Sequence, residues 1–300
     1  MHAANPLSEL SNAILKTAAY ADVFDFPMTS AEIHRYLVGL RTNHEEVERV
    51  LQEGLILSRV DHYFSLPGRE YLVETRRRRE QIAAKQWLRA AGYGRMIARL
   101  PFVRMVAVSG ALAVNNAEES DDIDFLIVTE AGRLWFCRGL VMILRRFAAL
   151  QRVTLCPNYL VSMRSLKFVD RTLYTAHEIT QMVPLAGLDV YDEIRKQNAW
   201  VGRFLPNAIG APLPPFISPP PVSRTLGQPA WETVLRTKPF SSLEHWEMNR
   251  KIRILRLEQA ASPESDFSAD CCKGHAHRHQ ALTQAALEER LDRLQRNFSS

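Results

Sequence analysis

No stretch of this chain is long and apolar enough to cross a bilayer. The best candidate, Leu134 to Leu150, is interrupted by Arg138, Arg145 and Arg146 and falls short of the roughly 20 residues that a spanning helix needs. The opening Met1-His2-Ala3-Ala4-Asn5-Pro6 has no basic start followed by an apolar core, so no secretory signal is expected. Nothing in the sequence predicts a membrane partner. Cysteine is scarce: Cys137, Cys156, Cys271 and Cys272 are too few and too scattered for a disulfide framework, and the adjacent pair cannot easily bridge to itself. A reducing cytoplasm is the expected home. Glycine-rich signatures are missing too. There is no phosphate loop ending in Gly-Lys-Ser/Thr and no Gly-x-Ser-x-Gly elbow, which removes the main support for P-loop hydrolase, kinase and serine esterase readings. No internal repeat is visible.

What remains is an ordinary globular composition. The 300 residues are 46% hydrophobic and 24% charged, enough for a core and for more than one domain. A formal charge of +5 suits phosphate-bearing ligands without demonstrating nucleic-acid binding.

The first unit reads as helical. Leu10, Ile14 and Ala18 share a face, Thr29-Ser30-Ala31-Glu32 is a capping box, and Asn43-His44-Glu45-Glu46 is a similar start leading to Val47, Val50 and Leu51 before Gly54. Two short strands, 55–60 and 63–66, flank a hairpin turn at Asp61-His62. Residues 8–67 therefore read as a winged helix. Its third helix carries Glu45, Glu46, Glu48 and Glu53 against a single Arg49, a surface that phosphates would repel. Duplex DNA is not an expected partner, and packing or protein contact is. Residues 69–99 read as a connecting helix, and its run Arg76-Arg77-Arg78-Arg79 as a solvated face rather than a phosphate-steering cluster, because consecutive helical residues splay apart.

The centre, residues 100–207, carries the chemistry. Val103–Val108 reads as a buried strand, Ser109-Gly110 as a tight turn, Ala111–Asn115 as a helix start favourable to anions, and Ile123–Val128 as a second strand. A helix follows, with Leu134, Cys137, Val141, Leu144 and Ala148 at helical spacing, then a strand over 153–161. Asp122 and Asp124 are two residues apart at the start of the second strand. A strand repeats its side-chain direction every second residue, so both carboxylates share a face. Side by side they repel, and a divalent cation between them would relieve that.

At this point the chain resembles the nucleotidyltransferase superfamily typified by DNA polymerase beta and kanamycin nucleotidyltransferase. The motif is Ser109-Gly110-Ala111, a spacer, and Asp122-Ile123-Asp124-Phe125. The resemblance implies an α+β fold in which a small mixed sheet forms the nucleotidyltransferase core. It also implies two magnesium ions, or manganese in their place, on Asp122 and Asp124, and a nucleoside triphosphate held at Ser109, Gly110 and Ala111. One departure is Ala111, where the family has a small polar residue. A third acid on a neighbouring strand often completes the family's site; the matching position here reads as Asn158, an amide that can ligate but cannot take a proton at neutral pH. Pro157 argues for an edge or a bulge there. The later acid Glu178 lies in Thr175-Ala176-His177-Glu178, which reads as a capping box, and His177 reads as structural.

Residues 198–207 are expected to close the core as a helix with a buried Trp200. Prolines between Pro212 and Pro221 make 208–240 a stiff connector, and 241–300 a helical region with Leu287, Leu291 and Leu294 on one stripe, serving as a cap over the cleft or a dimer surface. The crowded Cys271-Cys272…His275…His277…His279 segment lacks the spaced ligand pairs of structural zinc. The expected function is transfer of a nucleoside monophosphate to an acceptor hydroxyl that the sequence does not identify. The alternative is a catalytically inactive member acting as a nucleotide-binding or regulatory module.

Overall fold

A computed structural model describes residues 8–212, 228–258, 266–274 and 279–299. The architecture mixes helices with two sheets. The first unit runs α1 (Glu9–Asp22), β1 (Met28–Thr29), α2 (Ser30–Arg35), α3 (His44–Gln52), β2 (Ser58–Val60) and β3 (Tyr63–Ser65), with the strands antiparallel in the order β1-β3-β2. Its caps are local chemistry. Thr29 and Glu32 exchange a reciprocal capping box, and the Asn43 side chain accepts from the Glu46 backbone N–H. The hairpin turn forms at Asp61, whose φ of 55° is left-handed, but β2 begins at Ser58 and leaves Leu55 exposed.

The long helix α4 (Leu72–Ala98) leads into β4 (Val103–Val108), the single turn α5 (Gly110–Ala113), β5 (Ile123–Thr129), α6 (Leu134–Leu150) and β6 (Leu155–Ser162). Then come α7 (Leu173–Gln181), β7 (Val183–Ala186), α8 (Leu188–Gln197) and a 3-10 turn over Ala199–Arg203. After it the described elements are α9 (Gln228–Leu235), α10 (Lys238–Glu258), β8 (Asp266–Phe267), β9 (Cys271–Lys273) and α11 (His279–Ser299).

The central sheet has the order β7-β4-β5-β6-β9-β8, wider than the three strands read from sequence. Only the β5–β6 pair is parallel among those described, with α6 as its crossover. Alternation sorts the strand side chains into two cores. Met105, Ala107, Leu126, Val128 and Val161 pack toward α7, α8 and the first unit. Val106, Val108, Phe125, Ile127 and Leu160 pack toward α4, α6 and α10. Trp87 of α4 and Trp135 of α6 are fully enclosed in this second core.

Several expectations need correction. Residues 228–235 of the expected connector form α9, whose buried Glu232 holds the Phe102 N–H at 2.8 Å and Arg104 at 2.8 Å. Pro214, Pro215 and Pro219 to Pro221 lie outside the described residues, as do His275 and His277. The C-terminal region is not only helical, since β8 and β9 extend the sheet. Cys271 and Cys272 sit on β9, where neighbours face opposite ways, so one thiol enters each core. All four cysteines are free. Trp200 is only half-buried; the fully buried residue there is Asn198, whose side chain bonds Phe168 N–H at 2.9 Å and the Leu166 and Ile194 carbonyls at 2.8 Å. Among the described residues no helix is long and apolar enough to cross a membrane.

The arginine run also departs from its solvated reading. The four side chains do splay, but Arg76 is 2% exposed, bonded to Glu32 at 2.8 Å and Glu80 at 2.7 Å, with its guanidinium 3.9 Å from the Phe26 ring centre. It bolts the first unit to α4. Removing one partner of a buried ion pair strands the others, so Arg76→Ala should cost about 3 kcal/mol in urea unfolding. A loss below about 1 kcal/mol would return Arg76 to the class of surface pairs.

Candidate functional site

A cleft of about 740 Å³ opens between the first unit and the β4–β5–β6 end of the sheet. One wall is apolar and aromatic, from Tyr20, Ala21, Phe24, Phe26 and Met28. The facing wall carries Gly110, Ala111, Asp122, Asp124, Cys156 and Asn158. Helix α7 supplies Tyr174, His177, Glu178 and Gln181. Asn116 ties the two walls together, donating to the Phe24 carbonyl at 2.9 Å and accepting from Arg79 at 3.2 Å.

Of the sequence motif, Gly110, Ala111, Asp122 and Asp124 come together in this cleft and Ser109 does not. Asp122 is exposed at the lip and Asp124 is partly buried on β5, and both line the cleft. Gly110 explains how Asp124 fits. Its φ is +66°, and a Cβ there would stand 2.5 Å from the Asp124 Oδ2 atom, so the carboxylate lies against bare backbone at the start of α5. The Ser109 N–H donates to the Asp124 carbonyl at 3.0 Å. Ser109 itself is buried, and it lines a separate cavity of about 30 Å³ behind the cleft with Asn158, Glu178 and Lys273. It is absent from the larger cleft's lining, contrary to its expected place beside the phosphates.

Burial pushes the Asp124 carboxyl from its ordinary 3.8 up to about 7; a hydrogen bond from the Cys156 thiol opposes this, and repulsion from Glu178, Asp122 and Asp121 adds to it. That thiol was not legible beforehand. The register of β5 and β6 shifts between Asp124 and Leu126, so Cys156 is the residue paired with Asp124 and Asn158 falls in the bulge. Pro157 falls in the same bulge, ahead of the Tyr159–Val161 stretch that pairs with β9. Burial, with Asp124 beside it, raises the Cys156 thiol to about 12, so it stays protonated and donates.

Glu178 lines the cleft together with Asp121, Asp122 and Asp124. The capping box expected at Thr175 does not form, because α7 starts earlier, with Thr172 as its cap accepting from the Thr175 N–H. Glu178 therefore sits inside the helix on the face turned to the sheet. Burial raises its pKa, and Lys273 partly offsets that. No lysine or arginine lines the cleft among the described residues; Lys273 faces Glu178 from the rear cavity. Nor do any three His, Cys, Asp or Glu among the described residues close up as a ready ligand cage.

His177 is buried and stacks on Tyr20 with ring centres 4.0 Å apart and planes 8° from parallel. Its Nδ1 meets the Gln181 amide at 3.1 Å, while Nε2 has no protein partner. Burial lowers its pKa from 6.5 to about 3.

No family model, no curated protein and no solved structure matches the chain.

Two outcomes follow from this geometry. Gly110→Ala should force Asp124 out of place and cost roughly 1–3 kcal/mol in thermal unfolding, through the left-handed backbone and the overlap; wild-type stability would mean that the close approach is not real. Unfolded chain protonates His177 near 6.5 and folded chain only near 3, so the unfolded state takes up the extra proton between those values. Stability should fall as pH drops through that window, and His177→Gln should make the slope shallower in denaturant titrations. An unchanged slope would contradict the burial.

Proposed function

We propose that this chain is a metal-dependent nucleotidyltransferase, moving a nucleoside monophosphate from a nucleoside triphosphate to an acceptor hydroxyl with release of pyrophosphate. The observation that carries this reading is the Gly110–Asp124 contact, with Asp122 and Glu178 in the same cleft and no cationic side chain among its described lining residues. Oxygen ligands of this kind suit magnesium, or manganese in its place. Asp122 and Asp124 would hold the ions, and Glu178 joins them in preference to Asn158 as the further acid. When bound, the metal would neutralise charge on the phosphate oxygens.

The remaining work falls to the chain's own groups. The backbone of Gly110 and Ala111 would bind the outer phosphates through N–H groups, which needs no side chain at either position. The Cys156 thiol orients the Asp124 carboxylate. Glu178, with its raised pKa, would accept the acceptor's proton when ionised, and the Tyr20–Phe24–Phe26 wall would exclude water from the reacting groups. In this reading the first unit is a winged helix whose role is to wall the cleft, consistent with its glutamate-bearing α3 and its shared core with α7. The free thiols suit a reducing compartment such as the cytoplasm.

A second reading keeps the fold and the nucleotide but not the reaction. It is favoured by Ala111, by an amide at Asn158, and by the placement of Ser109 in the rear cavity.

Calorimetric titration with ATP, GTP, CTP and UTP, with and without Mg²⁺, followed by a pyrophosphate assay, separates the two. Magnesium-dependent binding with pyrophosphate release is expected for the enzyme, and Asp122→Ala and Asp124→Ala should each lower release by at least about a thousandfold while unfolding cooperatively. Turnover retained in both variants would dispose of the proposal. Binding without release would leave the inactive module.

A further inference from the structure

The arginine-interrupted segment that cannot span a bilayer forms α6, on the side of the sheet away from the cleft. Beside it on the same side lies α4, joined through the Tyr93 hydroxyl donating to the Gln151 side-chain oxygen at 3.0 Å. No acidic residue occurs from 81 to 117 or from 131 to 169, which takes in all of α6 and the part of α4 after Glu80; the acids of α4, Glu74 and Glu80, lie toward its other end. On α4 and at its C-terminal cap, Lys85, Leu88, Arg89, Met96 and Arg99 fall on one helical stripe and are all exposed. On α6 and just after it, Arg145, Arg146 and Arg152 are exposed. No described carboxylate lies within ion-pair distance of these basic groups. Large apolar side chains are interleaved with them: Leu150 is 81% exposed, Leu88 67%, Phe147 61% and Ile143 51%.

We propose that this face docks the protein on an anionic lipid bilayer, along the membrane plane and without crossing it. Bases of one sign call for an anionic partner, and exposed apolar side chains between them call for one with an apolar layer under its charges. A nucleic acid would satisfy the arginines and leave Leu88, Ile143 and Leu150 in water. A second copy meeting the same face about a two-fold axis would bring like charges together. The sheet separates this face from the cleft, so a docked molecule keeps its cleft open to solution.

The test is sedimentation of the full chain with phosphatidylcholine vesicles, alone or with about one third phosphatidylglycerol. Co-sedimentation with the anionic vesicles only, weakened by salt, is expected. The pairs R145E with R146E and K85E with R89E should each lower the bound fraction by about tenfold, and Phe147→Ser should lower it several-fold, with unfolding transitions like the wild type. Equal binding to both vesicle types, binding to neither, or charge-reversed variants that fold and bind fully would overturn the proposal. So would capture of polyuridylate with vesicles left in solution, which would assign the face to nucleic acid. Self-association lost in the same variants, without vesicle binding, would assign it to a second copy.

Discussion

The approach of the Asp124 carboxylate to the bare backbone of Gly110 is the constraint around which the site is built. A side chain at position 110 would occupy the space of Oδ2, so the turn after β4 must be glycine for the acid on β5 to sit where it does. The acid is then partly enclosed, repelled by Glu178 and Asp122, and left with a pKa near neutrality. A carboxyl poised in that way exchanges a proton for a metal ion at modest cost, whereas an ordinary exposed aspartate has no such sensitivity.

The parts around this contact are held from several directions. The aromatic wall belongs to the first unit, which Arg76 fixes to α4. Asp22 of α1 adds a second fastening, accepting from Arg69 at 2.8 Å and from Arg290 of α11 at 2.7 Å. The start of α6 has no side-chain cap of its own; Glu244 of α10 accepts from the Trp135 and Phe136 N–H groups at 2.9 and 2.5 Å and takes that role. Thus the C-terminal helices brace both the wall and the sheet, although they supply no side chain to the described lining of the cleft.

What the sequence made legible was local. Asp122 and Asp124 were read as sharing a face, and both line the cleft although β5 starts only at Ile123; cap residues located the starts of α2 and α3. Glycine marked the turn. Pairings between distant segments were hidden: β9 joins β6 from more than a hundred positions away, and neither Cys271-Cys272 nor β7 advertises a partner. The contact between Cys156 and Asp124 depends on a one-residue register and a bulge, which no local pattern encodes. Thr175 and Glu178 had the spacing of a capping box, but Thr172 three residues earlier took the cap, which turned Glu178 from a helix start into a cleft carboxylate. The charge run misled for a related reason, since a cluster of arginines looks the same in sequence whether its partners are water or glutamates from another element.

The central claim is most directly tested by following the Asp124 carboxyl by carbon NMR through a pH titration, first in chelator and then with magnesium and a non-hydrolysable triphosphate. The account predicts a midpoint near 7 in chelator that moves below the ordinary carboxylate range once metal and nucleotide are bound. A midpoint at the ordinary carboxylate value in chelator, or a raised one that magnesium and nucleotide leave unmoved, would contradict it.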